Sequence, residues 1–158
     1  MNLSDIKSED VEDVPHCNKI IPAKIIDVHD GDTCTVIFEY GNTFFKTKIR
    51  CNGIDTPEIR PSKNNPNREL EKQAAEHIRN KVKYHVEDKI LNIKLIKHDK
   101  YGGRYEGEIY LEKDVIEPFP HDVKTLADYL LYKKYGRKYE GSKKEPWSKK
   151  ELKHMLLH

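Results

Sequence analysis

The sequence predicts an α+β chain dominated by β structure: five short strands forming a closed or partly open barrel, with two to three helices. Three observations carry this expectation. Five runs rich in β-branched and aromatic residues are separated by turn signals. One long stretch with apolar residues at every fourth position interrupts them after the third run. A second, shorter helical stretch follows the fifth. Strands interrupted once and then followed by a helix suit a barrel better than a doubly wound sheet, in which strands and helices alternate throughout.

Taken in order, residues 1–18 are acidic and poor in aromatics, too weakly apolar to offset chain entropy, and are expected to form a disordered arm. Order should begin near Lys19. The runs IIPAKIIDV, TCTVIFEY and TFFKTKIRCNGI, divided by His29-Asp30-Gly31-Asp32 and Tyr40-Gly41-Asn42, predict a three-stranded antiparallel meander. A polar stretch follows Pro57. In RELEKQAAEHIRNKVKYHV, Leu70, Ala74, Ile78, Val82 and Val86 recur four apart, which predicts an amphipathic helix. The strands ILNIKLIK and YEGEIYLE are joined by His98-Asp99-Lys100-Tyr101-Gly102-Gly103. A second helix is expected over roughly Val123 to Tyr135 with Asp122 as its cap. Trp147 should anchor the last part, and Ser148 with Glu151 three residues on has the form of a capping box opening a short basic helix or tail over 148–158. A chain of 158 residues fits one domain, here expected over 19–147.

The formal charge of +2 conceals an uneven distribution: residues 1–19 carry five acids against two lysines, and residues 133–153 nine bases against three acids. A basic tail favours polyanions, although lysine-rich termini also serve solubility. Cys17, Cys34 and Cys51 are too few and too irregularly spaced for a disulfide framework or a zinc ribbon. The opening residues are acidic where a signal peptide needs bases and an apolar run, and no stretch approaches the roughly 20 apolar residues of a membrane span. An intracellular protein with no membrane partner is the expectation.

The chemistry concentrates in Asp30-Gly31-Asp32-Thr33, at the start of one strand, and Arg50-Cys51-Asn52-Gly53-Ile54-Asp55-Thr56-Pro57-Glu58, at the end of the next. In a meander the start of a strand lies beside the end of its partner, so Asp32 and Asp55 should be brought together. Like charges that close call for a cation, and oxygen donors without a nearby histidine or thiol favour a hard ion, calcium before magnesium. Each string alone is an ordinary turn sequence. The arginines shift the balance: with only six among 29 basic residues, one stands at Arg50 and another at Arg104 beside the paired glycines. A guanidinium fork can hold two phosphate oxygens at once. Glu58, aimed by Pro57, could act as a general base.

With these residues in place, the ordered set DGDT, RxxxxDTPE and DKYGxR resembles staphylococcal nuclease-like domains, from about Lys19 to Trp147. The resemblance implies a five-stranded OB-fold barrel and calcium-dependent endonucleolytic hydrolysis of DNA and RNA, leaving 3′-phosphate ends. It assigns metal ligation to Asp32, Asp55 and the Thr56 carbonyl, the attacking water to Glu58, and the scissile phosphate to Arg50 and Arg104. Lys100 and Tyr101 would contact a neighbouring phosphate, and Tyr135 and Tyr139 the bound base, although a ring packed in the core is an equal reading for the tyrosines. Three features depart from the pattern: the second glycine of DKYGGR, the long approach through Ile116-Glu117-Pro118-Phe119-Pro120-His121, and a C-terminus too short for a long third helix.

Two other classes were weighed. A barrel that only grips nucleic acid or protein is the principal alternative, disfavoured because every acid and both arginines are in register. A histidine or cysteine metal site could be sought at His16-Cys17 or at His154 and His158, yet two ligands four apart more often mark a solvated helix face.

Overall fold

The computed structural model describes residues 2–112 and 119–158. The expected meander forms from β1 (Ile20–Asp30), β2 (Thr33–Tyr40) and β3 (Thr43–Cys51), each antiparallel to the next. β4 (Ile54–Asp55) follows, then helix α1 (Arg68–Val86), β5 (Ile90–His98) and β6 (Arg104–Ile109). Helix α2 (Leu126–Tyr132), β7 (Arg137–Lys138) and helix α3 (Lys149–Leu157) complete the chain.

β1 pairs with β2 along one edge and with β5 along the other, and β3 pairs in parallel with β6, closing the order β1-β2-β3-β6-β5 into a barrel. Closure requires β1 to bend, and it does so at two register shifts, between Ile25 and Asp27 and between Val28 and Asp30. The result is an OB-like α+β barrel with three helices. Alternation along the strands sends Val36, Phe38, Ile49, Ile93 and Leu95 inward, where they are almost fully buried. Helix α1 adds Ala74, Ile78, Val82 and Val86 from its four-residue stripe and packs on β1 and α3. No helix of the described residues is long and apolar enough to cross a membrane.

Four details differ from expectation. The run read as one strand to Ile54 is broken at Asn52-Gly53, where Gly53 adopts φ +73°, and its last residue, Ile54, joins Asp55 in pairing with β7. The strand expected to continue to Glu112 ends at Ile109, Tyr110 then forming an isolated bridge to Thr125. Helix α2 is shorter than expected and is capped by Thr125, not Asp122: the Thr125 hydroxyl accepts from the Asp128 amide, while the Asp128 carboxylate accepts from the Thr125 amide. The segment expected to be a disordered arm ends against the barrel, with Val14 buried, the Asn18 amide donating to the Leu95 carbonyl, and the His16 ring edge-on to Phe38 and Tyr40. The Ser148–Glu151 capping box forms as expected. Of the long approach to the second helix, residues 116–118 lie outside the described residues.

Candidate active site

The site is assembled by strand ends. The two-residue turn Gly31-Asp32 joins β1 to β2, and its register sets Thr33 opposite Arg50. The Cys51 amide then donates to the Asp32 carbonyl at 2.7 Å, tying the turn to the end of β3. Gly31 rests directly on α1, since a Cβ there would lie 2.6 Å from Ile78 Cγ2. Beyond the Gly53 turn, β4 presents Asp55 and leads into Thr56. Asp32, Arg50, Asp55 and Thr56 are all buried polar residues.

Arg50 leaves the outer face of β3 and is held from three sides. One Nη donates to the Ile54 carbonyl at 3.0 Å, the same nitrogen lies 3.9 Å from Asp32, and the other lies 4.0 Å from Glu106. The Asp32 carboxylate also accepts from the Thr33 hydroxyl at 2.9 Å. Burial pushes the Asp32 carboxyl above its usual range; Arg50 opposes this, while Asp30 and Asp55 add to it.

The residues expected to flank the phosphate also converge. Gly103 takes φ +84°, so the additional glycine is absorbed within the loop, and Arg104 opens β6 beside Lys48. Its guanidinium binds Asp99. Burial alone would raise the Asp99 carboxyl, but the hydrogen bond and charge of Arg104 outweigh it and leave Asp99 lowered. A cavity of about 200 Å³ is lined by Asp32, Arg50, Thr56, Glu58 and Arg104 together with Lys144. A second of about 270 Å³ is lined by Arg50, Lys100, Tyr101, Arg104 and Tyr139. Tyr139 faces Arg50 with its ring centre 5.4 Å from the guanidinium carbon, and Tyr101 lies between Lys100 and Arg104. Tyr135 does not join them: it is fully buried in the core against Tyr129 and His77, so the expected base contact is corrected to a packing ring.

No family model and no curated protein matches this chain. What the site can do therefore rests on its own geometry.

Several site residues were not foreseen. Asp55 is met by Arg137 at 3.4 Å and by Lys144 at 3.1 Å, and the Lys144 ammonium also lies 3.5 Å from Glu58. Burial opposes the charge on Lys144, but the carboxylates of Asp55 and Glu58 prevail and raise its pKa. Arg137 stacks 3.9 Å from the Trp147 ring centre and donates to the Glu145 carbonyl, so the segment carrying Lys144 is tied down at both ends. Glu71 on α1 accepts from the Glu58 amide at 3.0 Å and from Asn65, fixing the backbone that carries Glu58. The six-base surplus of residues 133–153 was the available signal for Lys144. Arg137, as another scarce arginine, was open to the same argument as Arg50 and Arg104.

Among the described residues no three His, Cys, Asp or Glu side chains are gathered as a ready metal cage. His154 and His158 stack on α3, ring centres 4.3 Å apart, without a third ligand in that group. Around Asp55 the donors are nonetheless those of a hard cation, buried carboxylates and the buried Thr56 hydroxyl with no hydrogen-bond partner, and a cation, the Lys144 ammonium, already stands between Asp55 and Glu58. The set fits a calcium ion in donor type, with Lys144 as the cation now paired there.

Proposed function

We propose that this chain is a calcium-dependent endonuclease that hydrolyses phosphodiester bonds of DNA, RNA or both, a reading that places it with staphylococcal nuclease-like proteins. The single observation that carries the proposal is the shared cavity: two guanidinium groups, Arg50 and Arg104, and three carboxylates, Asp30, Asp32 and Glu58, line one small space at the ends of the barrel strands. Guanidinium forks beside carboxylates suit a substrate that is anionic and must be attacked by water.

Asp32, Asp55 and the Thr56 carbonyl would hold the ion, which when bound supplies Lewis-acid polarisation of a phosphate oxygen and a more acidic water. Arg50 has the stronger claim to the scissile phosphate because its Nη atoms are already oriented by the Ile54 carbonyl and Glu106, so little is lost in ordering it. Arg104, released from or shared with Asp99, adds a second fork for the charge that builds on the equatorial oxygens. Glu58 is half exposed at the cavity and accepts the proton of the attacking water, while Glu71 holds its backbone. Departure of the 5′ oxygen leaves a 3′-phosphate. Lys100, Tyr101 and Tyr139 form the adjoining wall for the next nucleotide.

Incubation of the purified protein with plasmid DNA and with RNA, in calcium and in chelator, tests this directly. Shortened products in calcium alone are expected. Retarded mobility of intact nucleic acid under both conditions would instead identify a binding barrel without hydrolysis.

A further inference from the structure

We propose that the outer face of β3 is a track for single-stranded nucleic acid, leading from the cleft at Arg50 to a base-stacking ring at Phe44. This rests on the nucleic-acid reading of the site but not on catalysis. Side chains two apart on a strand share a face, and inward Ile49 and Thr47 leave Arg50, Lys48, Lys46 and Phe44 in one outward row. The row runs over the seven residues from Phe44 to Arg50, about 20 Å. Arg50 turns into the cleft, Lys48 and Lys46 are exposed, and Phe44 is 76% exposed, leaving its ring face open for a base to stack on.

The neighbouring strands extend the same face. Their register sets Arg104 beside Lys48, and Lys24, Ile37 and Lys46 side by side across β1, β2 and β3. Acids on this face are Glu106, which is engaged by Arg50 and Lys97, Glu108, which is engaged by Lys94, Asp27 opposite Thr35, and Glu39 opposite Phe44. Lys46 and Lys48 form no ion pair with a carboxylate among the described residues and remain available to phosphates. Cations in line with an aromatic ring that begin at the phosphate site suit a polynucleotide backbone whose bases are free to stack. A duplex offers phosphates but no base face, so it can use the lysines and not Phe44.

Fluorescence anisotropy of a labelled single strand of about 12 nucleotides, in chelator so that nothing is cut, measures the track. Lys46→Ala/Lys48→Ala is expected to weaken binding about tenfold and to lower the salt slope by about 1.4, the value for two lost phosphate contacts. Phe44→Ala should weaken single-strand binding about tenfold at unchanged slope, with Phe44→Trp restoring it and a duplex of the same sequence indifferent to either change. Variants that bind as the unaltered protein does, or a Phe44→Ala loss shared equally by duplex and single strand, would overturn the track. A dinucleotide is too short to reach Lys46 or Phe44, so its cleavage in calcium should be unchanged in Lys46→Ala alone and in Phe44→Ala. If the track effects appear but calcium supports no cleavage at all, the nuclease reading falls and the track stands; if cleavage is sound and the variants bind normally, the track alone falls.

Discussion

Replacing Lys144 with methionine should tighten calcium binding. The ammonium lies 3.1 Å from Asp55 and 3.5 Å from Glu58, so an ion held by Asp55 must compete with a cation already paired there. At an effective dielectric of about 20, each pair has a gross attraction of about 5 kcal/mol. With the lysine side chain 36% exposed, solvent and its own entropy remove most of this, leaving a net value of about 1–2 kcal/mol. Methionine keeps the aliphatic packing and removes the competitor, so the dissociation constant for calcium should fall roughly five- to thirtyfold. Titration calorimetry gives the constant directly. Trp147, stacked on the arginine that pairs with Asp55, is the sole tryptophan and offers a fluorescence readout of the same event. Unchanged or weaker calcium binding in Lys144→Met would refute competition at these carboxylates.

Arg50→Lys keeps the charge but loses the fork, and should lower kcat by about two to three orders of magnitude. It should also cost about 1 kcal/mol of stability as the Ile54 carbonyl loses its partner, visible as a reduced Tm; near-normal turnover would remove Arg50 from the phosphate. For Asp32 the direction of the pKa shift gives a pH test. The folded carboxyl titrates above 3.8, so the stability it contributes is full below that pH and is lost as pH rises through the higher folded value. Asp32→Asn should therefore raise the Tm of calcium-free protein at pH 7 relative to pH 3.5 while abolishing calcium-induced stabilisation, and thermal melts with and without calcium at both pH values check each half. Gly107→Ala should destabilise the fold by about 3 kcal/mol or more in urea melts, because a Cβ would fall on the Lys94 carbonyl where β5 and β6 meet.

The elements legible in the sequence were those whose burial leaves a period. α1 is legible from Arg68 to Val86 because its buried residues recur at helical spacing over five turns, and the meander because runs of β-branched and aromatic residues are separated by turn signals at 29–32 and 40–42. The DGDT turn and the Asp55-Thr56-Pro57-Glu58 segment were legible for a different reason: once a hairpin is assumed, register alone sets Thr33 against Arg50. The β4–β7 ribbon was not legible, since strands of two residues have no period and Asp55 meets Arg137 only through a tertiary pairing. For α2, Asp122 and Thr125 are both good caps, and selection of Thr125 depended on Asp128 three residues later and on the bridge between Tyr110 and Thr125. Tyr135 stays open between base contact and core ring in the sequence for lack of local information: a tyrosine after an amphipathic helix can point either way, and its neighbours Tyr129 and His77 come from two helices.

Lys144 explains why a site with this many charges can fold before any ligand arrives. Asp32, Asp55 and Glu58 crowd a region where burial already raises one carboxyl, and leaving Asp55 unpaired at 2% exposure would be strongly unfavourable. Arg137 and Lys144 offset that charge from a segment anchored by Trp147, whose ring is buried and stacked on Arg137. The two cations are not equivalent. Arg137 pairs within a strand ribbon and stays with Asp55, whereas Lys144 sits on a loop with a flexible stem and can leave without unfolding anything. One cation thus sustains the acidic cleft permanently and the other sustains it provisionally. On this argument Arg137→Met should lower the Tm of the calcium-free protein more than Lys144→Met does, and it should slacken calcium binding where Lys144→Met tightens it. Equal behaviour of the two variants in paired melts and titrations would show that the position of each cation in the fold does not matter.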